Sequence, residues 1–273
     1  MPLLAIPYPA IDPVLIDIGP FPIRWYALAY VFGLILGWLY ARWIVRRDGF
    51  WGATPRPTAA SLDDLLVYTA LGVILGGRIG YVLFYNFGYY LTHPAEVIAV
   101  WKGGMSFHGG LAGASLAIVV FARRNQVKAL SVADIVACTV PIGLLLGRIA
   151  NFIKPELWGR VSDVPWAMVF PDAGPLPRHP SQLYEAGLEG LVILVLMHGA
   201  MRAGVLMRPG LAAGIFGIAY GLARIACEFF REPDPQLGFL FGGATMGMLL
   251  SLPVIAAGVV LIVVAQRQPR ASP

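Results

Sequence analysis

Polar positions along the chain are confined to short intervals between long apolar runs. Seven runs, roughly 24–45, 64–90, 105–122, 132–152, 181–202, 209–230 and 238–265, are mostly apolar throughout. Each approaches or exceeds the about 20 residues that a helix needs to cross a bilayer. They are too long and too continuously apolar for barrel strands. Backbone groups in lipid have no water to bond, so a run of this kind predicts a helix. Pro2, Pro7, Pro9, Pro13, Pro20 and Pro22 exclude helix from residues 1–22, because proline lacks the donor and clashes with the preceding turn. The basic start of a signal peptide is not seen there either. The pattern predicts an all-α polytopic membrane protein with seven transmembrane helices.

Charge sets the direction. With the N-terminus outside, the inner flanks hold eleven basic residues: Arg42, Arg46, Arg47, Arg56, Arg123, Arg124, Lys128, Arg202, Arg208, Arg267 and Arg270. The outer flanks hold six: Arg24, Lys102, Lys154, Arg160, Arg178 and Arg231. Basic residues favour the cytoplasmic side, so the expected topology is N-out, C-in. The chain then divides into 1–152 (spans one to four, with an outer N-terminal segment), 153–180, and 181–273 (spans five to seven with a short tail). The middle segment is rich in proline, which predicts a small outward-facing cap. Trp158 and Trp166 within it fit either the membrane interface or aromatic packing in the cap. Residues 88–104, with Trp101 and Lys102, are expected along the outer interface. Recurring pairs such as Gly72/Gly76, Gly109/Gly113, Gly217/Gly221 and Gly243/Gly247 are expected to let helix backbones approach closely.

Composition narrows the classes further. Apolar residues make up 58% and charged residues 13%, against about 25% charged in soluble domains. The net charge of +5 does not point to nucleic acid, because the basic residues sit between spans. The two cysteines, Cys138 and Cys227, lie in apolar runs and read as packing residues rather than a disulfide or metal pair.

Three arginines stand where a membrane protein should have none. Arg78, Arg148 and Arg224 each follow a small residue and precede isoleucine, and lie 14, 14 and 16 residues above Asp64, Asp134 and Arg208. That spacing is about 21–24 Å of helix, which places all three in the outer leaflet at one level. A charge inside a span is costly and marks either a functional site or pairing with a buried carboxylate. Their neighbours are polar as well. Tyr220, Arg224, Glu228 and Arg231 share one helix face, as do Gln182, Glu185 and Glu189, and Arg148 lies three residues before Asn151. Arg78 shares its stripe with Tyr81 and Tyr85, and His108 begins the third span. Guanidinium forks bind phosphate bidentately. The residues therefore predict an outward-facing pocket for an anionic phospholipid.

The segments Gly147-Arg148-Ile149-Ala150-Asn151-Phe152-Ile153-Lys154-Pro155-Glu156-Leu157-Trp158-Gly159-Arg160, Phe107-His108-Gly109-Gly110, Arg178-His179-Pro180-Ser181-Gln182-Leu183-Tyr184-Glu185 and Tyr220 to Arg231 resemble, in the same order, bacterial prolipoprotein diacylglyceryl transferases. The resemblance spans about residues 15–265. One departure is Lys154, where the signature commonly has asparagine. The resemblance implies an inner-membrane enzyme, with its active site towards the outer leaflet. It would transfer the diacylglyceryl group of phosphatidylglycerol to the lipobox cysteine thiol of a prolipoprotein signal peptide, releasing glycerol phosphate. Carried over by motif are Tyr26, His108, Arg148, Asn151, Glu156, Gly159, Tyr220, Arg224 and Glu228, with Arg78 and Arg231 added as substrate-binding candidates. Neither a metal nor another cofactor is implied.

Forming a thioether displaces a phosphate ester at carbon, so charge gathers on the departing phosphate, where arginines would stabilise it. The thiol must also lose a proton. His108 fits either the base that takes it or a group that orients the headgroup, and Glu228 reads as a group that orients Arg224. A transporter would place its charges at the midplane in broken, inverted-repeat helices, whereas these crowd to one side. A non-catalytic lipid-binding scaffold would explain the arginines but not the histidine and asparagine beside them.

Overall fold

The computed structural model describes residues 6–9, 11–19, 21–233 and 238–268; of the residues named above, Pro2, Pro20 and Arg270 lie outside them. In chain order the elements are β1 (Ile6–Pro7), β2 (Val14–Ile18), β3 (Phe21–Arg24), α1 (Trp25–Val45), α2 (Asp48–Trp51), α3 (Ser61–Phe84) and α4 (Phe87–Thr92). Then come α5 (Phe107–Arg124), α6 (Ala129–Ile153), β4 (Met168–Val169), α7 (Ser181–Glu185), α8 (Ile193–Arg202), α9 (Leu211–Glu228) and α10 (Met246–Gln266). A π-helical stretch, Ala186–Val192, joins α7 to α8. The architecture is mostly helical, and the short strands depart from the all-α expectation.

Among the described residues, six helical stretches are long and apolar enough to cross a membrane: α1, α3, α6, Ser181–Arg202, α9 and α10. Their outward faces are apolar and uncovered: Leu34 is 55% exposed, Leu71 51%, Val195 65% and Val260 60%. In water such contiguous surface would drive association, whereas in lipid it is the solvated face. The chain is thus a multi-pass membrane protein. The remaining expected run matches α5, which is 18 residues long, with His108 at its start and Arg123 and Arg124 at its end. It falls outside that apolar set and packs along α3, where Gly72, Gly76 and Gly80 face Gly109 and Gly113. A Cβ on Gly80 would come 2.8 Å from Gly109 Cα. The same small-residue contact recurs between α9 and α10, where a Cβ on Gly214 would lie 2.8 Å from Gly258 O. Lipid tails compete with apolar side chains for a helix face, so close backbone approach supplies the association that burial cannot.

The tightest apolar packing lies at the end where α1 finishes and α3, α6 and α9 begin. Ile44, Trp51, Leu62, Phe121, Ile135, Met197 and Leu206 are buried there, as is Cys138. Arg148, Arg224, Glu185, Glu189 and Glu228 gather at the other end, near the segment between α6 and α7, while Asp134 is buried at the apolar end. That segment is bound to the start of the chain: β1 pairs in parallel with β4 through Ile6–Met168 and Pro7–Val169. The Tyr8 hydroxyl donates to Phe152 O at 2.6 Å and Ile153 O at 2.9 Å, and its burial there raises its pKa. The β2–β3 hairpin leads into α1. Phe170 is fully buried between Tyr8 and Trp158, so Trp158 packs within the segment that joins α6 to α7. Trp166 is exposed and donates its indole N–H to the Tyr184 hydroxyl at 2.6 Å.

Candidate active site

Arg148 of α6 and Arg224 of α9 converge on two glutamates between them. Arg148 Nη1 lies 2.8 Å from Glu185 Oε2 and its Nη2 lies 3.3 Å from Glu189 Oε2. Arg224 Nη1 lies 3.1 Å from the same Glu185 oxygen and 3.3 Å from Glu189 Oε1, while its Nη2 pairs with Glu228. Glu185 ends α7 and Glu189 lies in the π-helical stretch, and both are fully buried. Gly190 makes this possible: a Cβ there would come 2.7 Å from Leu145 Cα, so the absence of a side chain lets the π stretch lie against α6. π-helical turns often occur at functional sites.

Glu228 extends the cluster. Its Oε2 accepts from the Thr245 hydroxyl at 2.5 Å, and its Oε1 lies 3.4 Å from Arg231 Nη1. Arg160 holds this end of α9 through its backbone, donating to Glu228 O at 2.9 Å and Arg231 O at 3.0 Å. Tyr220, one turn before Arg224, stacks on Phe216 at 5.8 Å.

A second group forms where α6 ends. Asn151 Nδ2 donates to Glu156 Oε1 at 2.8 Å, Lys154 Nζ lies 2.7 Å from Glu156 Oε2, and Gln182 Nε2 donates to Glu156 O at 2.7 Å. Lys154 also sits 5.7 Å from the centre of the Tyr26 ring, which links this group to the first turn of α1. The Tyr26 and Tyr30 hydroxyls are 3.4 Å apart. Beside them is a cavity of about 310 Å³, whose lining includes Arg24, Tyr26, Ala150 and Lys154. Gly159 lies tightly packed where the segment between α6 and α7 meets the end of α9. A Cβ there would come 2.6 Å from His179 Cβ, His179 O and Phe230 O alike, so no larger residue fits without displacing backbone. Partial burial near Tyr184 and Phe230 holds the His179 imidazole below its usual pKa range.

The chain matches the family described as prolipoprotein diacylglyceryl transferase over residues 13–264. The chain belongs to this family. It is 66% identical to the phosphatidylglycerol–prolipoprotein diacylglyceryl transferase of Methylocella silvestris, covering 96% of this chain and 97% of that protein. It is 62% identical to that of Beijerinckia indica, with 96% of each chain covered. With the enzyme of Rhodopseudomonas palustris the identity is 56%, over 100% of this chain and 96% of the relative.

In this diacylglyceryl transferase family member the three arginines do not share one pocket. Arg78, 3% exposed, donates to Glu96 O at 2.6 Å, Val97 O at 2.7 Å and Gly103 O at 2.6 Å. It fastens the segment 94–104 to α3, because the carbonyls of that segment, rather than carboxylates, face it. The same segment is tied within itself. Hydrogen bonds from Lys102 (2.9 Å) and the Tyr89 hydroxyl (3.0 Å) hold the Glu96 carboxyl below its usual pKa range. His108 is exposed on the first turn of α5, its ring 5.6 Å from Phe107, and no described contact joins it to the arginines. Glu185 and Glu189, by contrast, stand at the centre of the cluster although the motif comparison did not single them out. Their shared helix face was visible in the sequence; that they face Arg148 and Arg224 was not. Thr245 carried no comparable signal, and Arg160 stood only among the outer basic flanks and as the last residue of the segment that begins at Gly147.

Proposed function

We propose that this chain transfers the sn-1,2-diacylglyceryl group of phosphatidylglycerol to the lipobox cysteine of prolipoproteins at the outer leaflet of the bacterial inner membrane. The observation that carries the reading is the Arg148–Glu185–Glu189–Arg224–Glu228 cluster on three adjacent helices, its glutamates buried and its arginines mostly so. The cysteine thiolate attacks the glycerol carbon that bears the phosphate. A C–S bond forms, the C–O bond to phosphate breaks, and glycerol phosphate leaves with the electron pair. Arg148 and Arg224 meet the charge on that phosphate with forks already oriented by Glu185, Glu189 and Glu228. In a site this poor in water, preoriented donors need little rearrangement as charge develops. Asn151, Glu156, Tyr26 and Gly159 shape the neighbouring end, where the glycerol hydroxyls are read. Tyr220 and Arg231 flank the cluster, and Arg78 acts on substrate only through the interfacial segment. His108, exposed on the first turn of α5, stands as the candidate either for the base that takes the thiol proton or for a group that orients the headgroup.

The basic-residue asymmetry supports N-out, C-in, with α5 as the seventh span. Cysteines replacing the exposed residues Arg123 and Asp172 in a Cys-free background test this with an impermeant maleimide on spheroplasts. Labelling at 123 rather than 172 would reverse the orientation.

The arginine-rich site also supports a choice of lipid. The ammonium of phosphatidylethanolamine about 6 Å from a guanidinium is repelled by roughly 2–3 kcal/mol at an effective dielectric near 20. The test is a labelled lipobox peptide in mixed micelles containing both lipids at equal mole fraction, followed by gel mobility. A mobility shift that depends on phosphatidylglycerol is expected. An unshifted peptide with well-folded protein would overturn the function, and equal transfer from both lipids would overturn the headgroup reading.

A further inference from the structure

Asp134 lies at the opposite end of α6 from Arg148 and is fully buried. Its carboxylate leaves its own helix and accepts two backbone donors at the start of α9, Gly210 N and Ala213 N, each at 2.7 Å. Helix α9 supplies no cap of its own: its N-cap residue is Gly210, at φ +94°, which has no side chain to offer. The unpaired donors of a helix start favour a carboxylate, and here a neighbouring helix provides it. Burying a carboxylate is costly unless its oxygens are bonded. A side chain at the α9 N-terminus itself would satisfy the same donors without tying two helices together.

The spacing shows what the tie does. Arg148 is 14 residues beyond Asp134, and Arg224 is 14 residues beyond Gly210. Both helices run in the same direction from this junction, so equal counts bring both arginines to equal height, about 21 Å above it. There they meet on one oxygen, Glu185 Oε2, at 2.8 and 3.1 Å. A slip of one residue would shift Arg224 by about 1.5 Å along its axis, enough to separate it from that oxygen.

We propose that Asp134 is a positioning residue for the transfer reaction: by clamping the start of α9 to α6 it sets the axial register that aligns Arg148 with Arg224. The inference rests on the assignment of those two arginines to the reaction. Asp134 touches no substrate and acts through the arginines alone.

The test is a double-mutant cycle on turnover per folded molecule, using Asp134→Ala and Asp134→Asn, each alone and combined with Arg224→Lys. Asp134→Ala is expected to slow turnover by about ten- to a hundredfold. Asp134→Asn, which keeps one acceptor oxygen, should recover part of that loss and serves as the measurable variant if the alanine form does not fold. With Arg224→Lys in place the alignment is already spoiled, so the Asp134 changes should cost markedly less than in the parent. Losses that multiply independently, or a folded Asp134→Ala with parental turnover, would overturn the proposal. Parental turnover in Arg224→Lys and Arg224→Ala would instead overturn the reading of the arginines on which it rests.

Discussion

Replacing Arg224 by alanine separates the chemistry of the cluster from its contribution to folding. The side chain is 11% exposed, and its guanidinium touches three carboxylates: Glu185 at 3.1 Å, Glu189 at 3.3 Å, and Glu228. Its removal leaves Glu185 and Glu189 paired with Arg148, while Glu228 keeps Thr245 and Arg231. Breaking a buried pair by deleting one partner costs about 3–5 kcal/mol, and the surviving partners place this site towards the lower figure. Losing a preoriented donor to a developing oxyanion costs about 2.7–4 kcal/mol of barrier, or a hundred- to a thousandfold in turnover. Arg224→Lys keeps the charge but not the fork, so it should retain most of the folding contribution and only part of the rate. The assay is a single-turnover reaction of labelled lipobox peptide with phosphatidylglycerol, normalised to monodisperse protein, beside thermal melting in the same detergent. A melting point near the parent's in Arg224→Lys, together with slow turnover, is the expected signature. Turnover of Arg224→Ala within about threefold of the parent, against the hundredfold expected, would refute the assignment of Arg224 to the departing phosphate.

Other sites give further expectations. Gly159→Ala must displace His179 or Phe230 backbone, so it should cost about 1–3 kcal/mol of stability and lower turnover by disturbing Glu156; a parental melting point would show that the cap yields there. Arg78→Met frees the carbonyls of residues 96, 97 and 103 and should lower the melting point while turnover per folded molecule stays within about fivefold; hundredfold slower turnover at an unchanged melting point would return Arg78 to the phosphate site. The folded-state pKa of His179 lies below the usual value, so as pH falls below about 6.5 the unfolded chain takes up a proton that the folded imidazole refuses, and stability drops. His179→Gln should flatten that part of the melting curve between pH 7 and 5, and an unchanged pH slope would place the titration elsewhere.

The apolar runs located the long helices, although in the run expected at 64–90 the long helix ends at Phe84, and in the one at 238–265 it begins only at Met246. The run expected at 132–152 is α6, Ala129–Ile153, and the run at 209–230 is α9, Leu211–Glu228; each agrees within three residues at either end. In lipid a backbone must bond to itself, so length and apolarity suffice to specify a helix. The polar faces were legible too: helical periodicity alone puts Glu185 beside Glu189, and Arg224 beside Glu228. What each face meets was not. Arg78, Arg148 and Arg224 stand in the same local setting, a small residue before and isoleucine after, yet one binds backbone carbonyls and two share a pair of glutamates. Local sequence specifies the charge and its height, while the partner depends on which helices pack together. The strand pair between residues 6–7 and 168–169, the π-helical stretch against Leu145 and the reach of Asp134 to the start of α9 all join segments distant in the chain. No pattern within either segment encodes such a contact; it exists only once the helices are packed, because packing alone brings the two partners within bonding distance.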